Sequence, residues 1–219
     1  MTQLLRTPAS RSEEASLLQA MKAIAPDGVR VGCRTIREGD ETHLLPEEAR
    51  SIPARHLEMR RASGAARWVA RGLLAKLGSS DFAILRASSG APVWPERITG
   101  SLAHDDEMAV AAAAPISRIT SLGIDVEPAE PLPDDISALV TIDADVADTA
   151  IDRHLVGRLL FSAKEAVYKA VYPLDREVLG YEDIAIDLAT GHATTKTGRR
   201  ARLTYCLAPR VLVLAFVSI

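Results

Sequence analysis

Two short stretches bring together the residue types that handle polyphosphates. Leu122-Gly123-Ile124-Asp125-Val126-Glu127-Pro128 reads as a β-strand. Side chains alternate along a strand, so Ile124 and Val126 point to one face and Asp125 and Glu127 to the other. Two neighbouring carboxylates repel each other and lose hydration on burial, so they call for a cation. The second stretch, Phe161-Ser162-Ala163-Lys164-Glu165-Ala166-Val167-Tyr168-Lys169-Ala170, reads as a helix with Glu165 and Lys169 on one face. With this helix packed near the strand, Glu165 becomes a third carboxylate. Three hard oxygen ligands, with positions left for phosphate oxygens and water, make a magnesium site, manganese being the alternative. Lys169, one turn on, then lies beside a bound polyphosphate.

Alone, an Asp-x-Glu pair is more often an exposed strand face, and a Lys-Glu helix more often a solvated one. Here Asp125 and Glu127 alternate with core-type residues, and Glu165 and Lys169 lie among Phe161, Val167, Tyr168 and Val171. A third element adds charge of the other sign. Arginines crowd residues 50–71, and Arg60, Arg67 and Arg71 recur at helical spacing on one face, with Arg55 and Arg61 nearby. A guanidinium grips phosphate with two parallel hydrogen bonds, so this face suits a phosphorylated nucleotide. A solvated arginine face is the plain alternative.

These residues carry a resemblance. Gly123 to Glu127, followed by Phe161 to Lys169, is similar to the paired signature of the 4′-phosphopantetheinyl transferases of the Sfp/enterobactin-synthase type. Gly90-Ala91-Pro92-Val93-Trp94-Pro95, Gly100-Ser101-Leu102-Ala103-His104 and the basic helix around Arg60-Arg61 and Arg67 to Arg71 resemble that family's preceding blocks, in the same order. The resemblance implies a Mg²⁺-dependent transfer of the 4′-phosphopantetheine arm of coenzyme A to a serine of an acyl or peptidyl carrier protein, releasing adenosine 3′,5′-bisphosphate. It implies metal ligation by Asp125, Glu127 and Glu165. Glu165 is the candidate general base, Lys169 stabilises the leaving oxygen, and Lys164 lies near the phosphates. Arg60, Arg61, Arg67 and His104 grip the nucleotide end. It also points to a siderophore or secondary-metabolite setting. Ala103 stands where the family commonly has Ser or Thr, with Ser101 as a substitute hydroxyl, and Phe161 where tryptophan is common. A magnesium-dependent phosphohydrolase using the same carboxylates is one alternative, against which the Lys164-Glu165 and Lys169 pattern argues. A non-catalytic coenzyme A or carrier-protein binding module is the other, and Ala103 and the altered basic helix favour it.

The elements that must position these residues follow from periodicity and breakers. Ser10 with Glu13 reads as a capping box before a helix to Ala25 with Leu17, Leu18, Met21 and Ile24 on one side. Val29 to Ile36 alternates as a strand, and Arg37 to His43 is a polar loop. A short helical turn from Pro46 precedes a long helix from about Pro53 to Leu77, ended by Gly78, with Met59, Trp68, Leu73, Leu74 and Leu77 as core contacts. Strands are expected at Phe82 to Arg86 and Met108 to Ala114, with Trp94 in the loop between them. A second long helix is expected from about Asp152 to Tyr172, ended by Pro173. A meander follows, Asp183 to Leu188, His192 to Thr197, Ala201 to Leu207 and Val211 to Ile219. The acidic segments at 128–135 and 143–148 read as solvated linker. The chain is therefore α+β. It has two half-domains, 1–115 and 116–219, each a long helix on an antiparallel sheet. The resemblance makes the halves similar and pseudo-twofold related, with the active site between them.

Composition narrows the partners. A net charge of −3 argues against a general nucleic-acid binder, and 219 residues bury a sizeable core. Cys33 and Cys206 form no metal or disulfide pattern, the N-terminus has no signal-peptide core, and Val211 to Val217 is too short to span a bilayer. A cytoplasmic monomer, with no membrane partner, is the expectation.

Overall fold

The computed structural model describes residues 11–53, 56–80 and 82–218. Ser10, Arg55 and Ile219, which the sequence assigns to a cap, a basic helix and a strand end, lie outside the described residues. The fold is α+β with two antiparallel sheets. Helix α1 (Arg11–Ile24) leads into β1 (Arg30–Thr35), a 3₁₀ turn (Asp40–His43), α2 (Pro46–Ser51) and the long α3 (Leu57–Lys76). Strands β2 (Ile98–His104), β3 (Met108–Pro115) and β4 (Ser121–Pro128) follow, then α4 (Asp134–Val140) and the long α5 (Arg153–Asp175). A 3₁₀ turn (Tyr181–Asp183) precedes the meander β5 (Ile184–Asp187), β6 (His192–Thr195), β7 (Arg200–Cys206) and β8 (Arg210–Val217).

The chain takes the same path twice. A first strand is followed by a long helix and a meander whose last strand returns to pair antiparallel with the first. This gives the order β1-β3-β2 in one sheet and β4-β8-β7-β6-β5 in the other. Strand alternation then sorts the side chains. On β3, Ala109, Ala111 and Ala113 face α3, while Met108, Val110, Ala112 and Ala114 face inward. On β8, Val211, Val213 and Ala215 face α5, while Leu212, Leu214 and Phe216 face inward. The inward residues of both sheets meet Leu17 and Met21 of α1 in one shared core. The halves thus share their central core, and α3 and α5 cover the outer faces. The alanines of β3 let α3 lie close, and Gly64 of α3 is required where the helix meets the 3₁₀ turn, since a Cβ there would stand 2.0 Å from the Asp40 carbonyl oxygen.

Several expectations need correction. Ile98–His104 is a full strand, hidden from sequence because its Gly100 and Ser101 do not read as β. Gly100 is needed because the Trp94 ring lies where its side chain would be, 2.7 Å from a built Cβ. The 82–86 segment makes only an isolated bridge, Arg86 with Pro92. Met59 and Trp68 are about half exposed (49% and 47%) rather than core, and Arg34 stacks on the Trp68 ring at 4.6 Å. Pro173 lies inside α5, which runs on to Asp175 and ends in a left-handed Arg176. The acidic stretch at 143–148 is not simply solvated, because Asp145 is buried and paired. No helix among the described residues is long and apolar enough to cross a membrane.

Strand β4 and helix α5 meet backbone to backbone. A Cβ on Gly123 would stand 1.9 Å from the Ala166 carbonyl oxygen and 2.8 Å from the Ala170 nitrogen, both backbone atoms. Gly123→Ala is expected to cost roughly 3 kcal/mol of stability, since the helix must move away. Urea unfolding measures this; an unchanged midpoint would refute the contact.

Candidate active site

The site is built on a shared spacing. Two residues of strand advance about 6.6 Å and four residues of helix about 6.0 Å, so a helix laid antiparallel along a strand stays nearly in step with it. On the α5 side of β4 lie Ser121, Gly123, Asp125 and Glu127. The Ser121 hydroxyl donates to the Ala170 carbonyl, and Gly123 sits against Ala166. Further along, Arg158 Nη1 donates to Glu127 Oε2 at 2.8 Å. Small residues thus bring the helix close at one end, and the acids occupy the other. Lys169 Nζ reaches Asp125 Oδ1 at 2.6 Å and the Ile124 carbonyl at 3.3 Å. Glu165 accepts a hydrogen bond from the Tyr181 phenol at 3.1 Å.

Charge is crowded here. Asp125 is buried, and its Oδ2 has no hydrogen-bond partner; neither has the buried hydroxyl of Ser162, one helical turn before Ala166. Burial first, then the neighbouring Asp125 carboxylate, pushes the Glu127 carboxyl up to about 7; Arg158 pulls the other way without cancelling the rise. Burial, then Glu165, pushes the Tyr181 phenol up to about 12, and Asp125 and Glu127 add to the effect. All three carboxylates therefore act on one small region. They do not form a closed cluster, and no three His, Cys, Asp or Glu side chains converge as a metal cage among the described residues. The reason is visible: Lys169 and Arg158 each take up one carboxylate. The orphaned Asp125 oxygen and the raised Glu127 carboxyl nevertheless fit a hard divalent cation, for which oxygen donors are the suitable ligands.

Two cavities adjoin, sharing Gly90, Pro92 and Leu102, and of the acidic group only Glu165, with Lys169, lines one of them. One, of ≈ 450 Å³, is lined by Arg67, Arg86, His104 and Ser63. The other, of ≈ 660 Å³, is lined by Trp94, Ser101, Glu165, Tyr168, Lys169 and Tyr172. His104 Nδ1 lies 3.3 Å from the Asp105 carbonyl, and burial holds the imidazole below the usual histidine range. Arg67 Nε donates to the Ile84 carbonyl at 2.8 Å and Nη1 to the Ser63 carbonyl at 3.5 Å, and the side chain lines the cavity wall.

The structure brings together Asp125, Glu127, Glu165 and Lys169, and separately Arg67 and His104. Other candidates stand elsewhere. Lys164 is fully buried, bound to Asp145 at 2.9 Å and to the carbonyls of Val140 and Tyr181 at 2.7 and 3.1 Å, so it faces the interior and not the phosphates. Arg61 is occupied by Glu41 at 3.1 Å, and Arg71 by the buried Glu48 at 2.7 Å. Arg60 does not line the cavity, whose helical wall is Met59, Ser63, Ala66 and Arg67. Ala103 and Ser101 line different cavities, so the Ser101 hydroxyl is not equivalent to one at 103. Sequence reasoning missed three residues. Arg158 lies seven residues before Glu165, hence on its helix face, and was findable. Arg86 ends a segment that reads as a strand but forms only an isolated bridge, and Tyr181 opens a 3₁₀ turn, so neither side chain's facing could be taken from the sequence.

Comparison with known proteins bears on this arrangement. Residues 47–114 match the family model for the 4′-phosphopantetheinyl transferase N-terminal domain, and residues 121–215 match that for the 4′-phosphopantetheinyl transferase superfamily. The chain is 37% identical over 192 residues to 4′-phosphopantetheinyl transferase Npt of Nocardia iowensis, covering 81% of this chain and 82% of that one. It is 38% identical over 164 residues to 4′-phosphopantetheinyl transferase Svp of Streptomyces mobaraensis, covering 70% and 65%. It is 36% identical over 158 residues to 4′-phosphopantetheinyl transferase PptT of Mycobacterium tuberculosis, covering 71% and 69%.

The Glu127 carboxyl makes a signed prediction. Its folded-state pKa, about 7, lies above the ordinary 4.5, so the folded protein holds a proton that the unfolded chain releases first. Without divalent cations, this group's contribution is fully favourable below pH 4.5 and declines until pH 7. Glu127→Gln is expected to flatten that part of the stability profile. Urea midpoints measured across this range for both proteins give the answer, and identical slopes would refute the assignment.

Proposed function

The chain belongs to the 4′-phosphopantetheinyl transferase superfamily, enzymes that transfer phosphopantetheine from coenzyme A to carrier proteins. From that premise we propose that its two adjoining cavities hold the two ends of coenzyme A and that Asp125, Glu127, Glu165 and Lys169 act at the pyrophosphate between them. The observation that carries this reading is the juxtaposition itself: a basic cavity with Arg67, Arg86 and His104 opens beside a larger, mostly apolar one that has Glu165 and Lys169 in its wall. An elongated ligand, phosphorylated at one end and apolar at the other, fits both.

In this reading Arg67, Arg86 and His104 bind the nucleotide phosphates, with the two arginines supplying fixed positive charge and the neutral imidazole a hydrogen bond. Trp94, Tyr168 and Tyr172 bound the wall along which the pantetheine arm lies. The carrier serine hydroxyl attacks the phosphorus on the pantetheine side. A new Ser O–P bond forms, the P–O bond to the adenosine-side phosphate breaks, and adenosine 3′,5′-bisphosphate leaves. Glu165 takes the serine proton, directly or through a water. Lys169 stabilises charge on the departing oxygen. Asp125, Glu127 and Glu165 would hold magnesium, or manganese, which would supply Lewis-acid charge against the pyrophosphate. The nucleophile belongs to the partner, so no nucleophilic triad is needed on this chain. The free thiols of Cys33 and Cys206 support a reducing, cytoplasmic setting.

Two experiments test the reading. Apo carrier protein incubated with this protein, coenzyme A and Mg²⁺ is expected to gain one phosphopantetheine by intact mass, and none with EDTA. Asp125→Ala and Glu165→Ala should each lower the rate by roughly 100-fold or more. Full transfer by either variant would sink the carboxylate roles, and EDTA-sensitive phosphate release without carrier protein would favour a hydrolase. In the second, Arg86→Ala should raise the KM for coenzyme A roughly tenfold. It should do so with little change for 3′-dephospho-coenzyme A; an equal effect on both would remove Arg86 from the phosphate grip.

A further inference from the structure

Among the described residues no cation pairs with Glu165, and what holds it is a residue from the 3₁₀ turn that follows α5. The Tyr181 phenol donates to Glu165 Oε1 at 3.1 Å. Tyr181 is itself fixed from three sides. Its carbonyl accepts from the buried Lys164 ammonium at 3.1 Å. Its ring stands 5.8 Å from that of Phe161, one turn before Glu165 on α5. Its 3₁₀ turn is closed by Asp183, which accepts from the Gly180 N–H at 2.9 Å and pairs with Lys196 at 2.9 Å. Lys164 in turn is anchored by Asp145 and the Val140 carbonyl.

We propose that Tyr181 is a positioning residue for the transfer, holding the Glu165 carboxylate in its working rotamer through the phenolic hydrogen bond, with buried Lys164 fixing Tyr181 from behind. The argument rests on the reading of Glu165 given above. A glutamate has three side-chain torsions, and an unpinned one at a cavity wall divides its time among several rotamers. With one oxygen tied to a phenol on a braced turn, the other oxygen is held toward the cavity. Adjacent residues of α5 thereby divide the work: Lys164 points inward and sets the loop, and the loop sets Glu165.

The test compares wild type, Tyr181→Phe, Glu165→Ala and the double variant. Tyr181→Phe keeps the ring and removes only the donor. Expected are a roughly tenfold fall in kcat, a KM for coenzyme A within about twofold, and a thermal midpoint within about 2 °C. Free-ion electron paramagnetic resonance of Mn²⁺ with coenzyme A present gives a second readout. Tyr181→Phe should weaken Mn²⁺ binding about threefold in the wild-type background and have no effect in the Glu165→Ala background. A fall in kcat without the Mn²⁺ change also supports the proposal and ties the pin to proton transfer. An unchanged kcat overturns it, as does a kcat loss accompanied by lost thermal stability, or an Mn²⁺ effect equally large in both backgrounds. If Glu165→Ala alone leaves kcat intact, the reading of Glu165 has failed, whatever Tyr181 does.

Discussion

The closeness of α5 to β4 sets everything in the groove. A helix normally rides on a sheet with side chains between the two backbones. At Gly123 there is none, and the Ala166 carbonyl occupies the space a Cβ would need. Ser121 reinforces the contact by bonding to the helix backbone itself. Because strand and helix advance in nearly equal steps, closeness at one end fixes the register further along. Asp125 falls within reach of Lys169, and Glu127 within reach of Arg158. A thicker residue at 123 would lift the helix and separate the carboxylates from the lysine together. Burying two carboxylates is costly, and the two cations from α5 offset that cost in the absence of a ligand.

Around this contact, buried charge acts as scaffold. Glu48 of α2 is fully buried and accepts from Arg71, the Ile84 N–H and the Leu45 N–H. Arg67 donates to the Ile84 carbonyl. The irregular segment that carries Arg86 is therefore pinned by its backbone on both sides. At the other end of the molecule, Arg210 of β8 joins Glu13 of α1 to Asp105 and Glu107 in the β2–β3 turn, tying the sheets to each other next to His104. Breaking one partner of such a group leaves a buried charge uncompensated, which costs several kcal/mol. These residues hold loops without touching the reacting atoms.

The sequence made some of this legible for identifiable reasons. The two-residue alternation of β4 and the apolar face of α5 placed Asp125, Glu127, Glu165 and Lys169, because periodic elements carry their facing in the chain. The role read for Lys164 was misplaced: its side chain is fully buried against Asp145 and the carbonyls of Val140 and Tyr181, contacts from distant segments that the helix period does not announce. The arginine face is divided in the structure. Arg67 lines the basic cavity, but Arg61 and Arg71 are held by Glu41 and Glu48. Those acids lie in segments that read as a polar loop and a short turn. Tyr181 and Arg86 were invisible, since their positions depend on tertiary anchors and leave no local pattern. Ala-rich β3 read correctly as buried because only close neighbours can use a surface that smooth.

The sheet order has a consequence for how the protein is made. In its sheet β4 is an edge strand, hydrogen-bonded only to β8. As the chain leaves the ribosome, β4 emerges ahead of α4, α5 and the whole meander, and its partner comes after all of them. Until β8 arrives, Asp125 and Glu127 sit on a strand with no ladder, and Ile124 and Val126 meet only the half of the shared core that α1 and β3 supply. The groove cannot assemble gradually from the N-terminus, and a nascent chain stalled before residue 210 would carry the acidic motif without a functioning site.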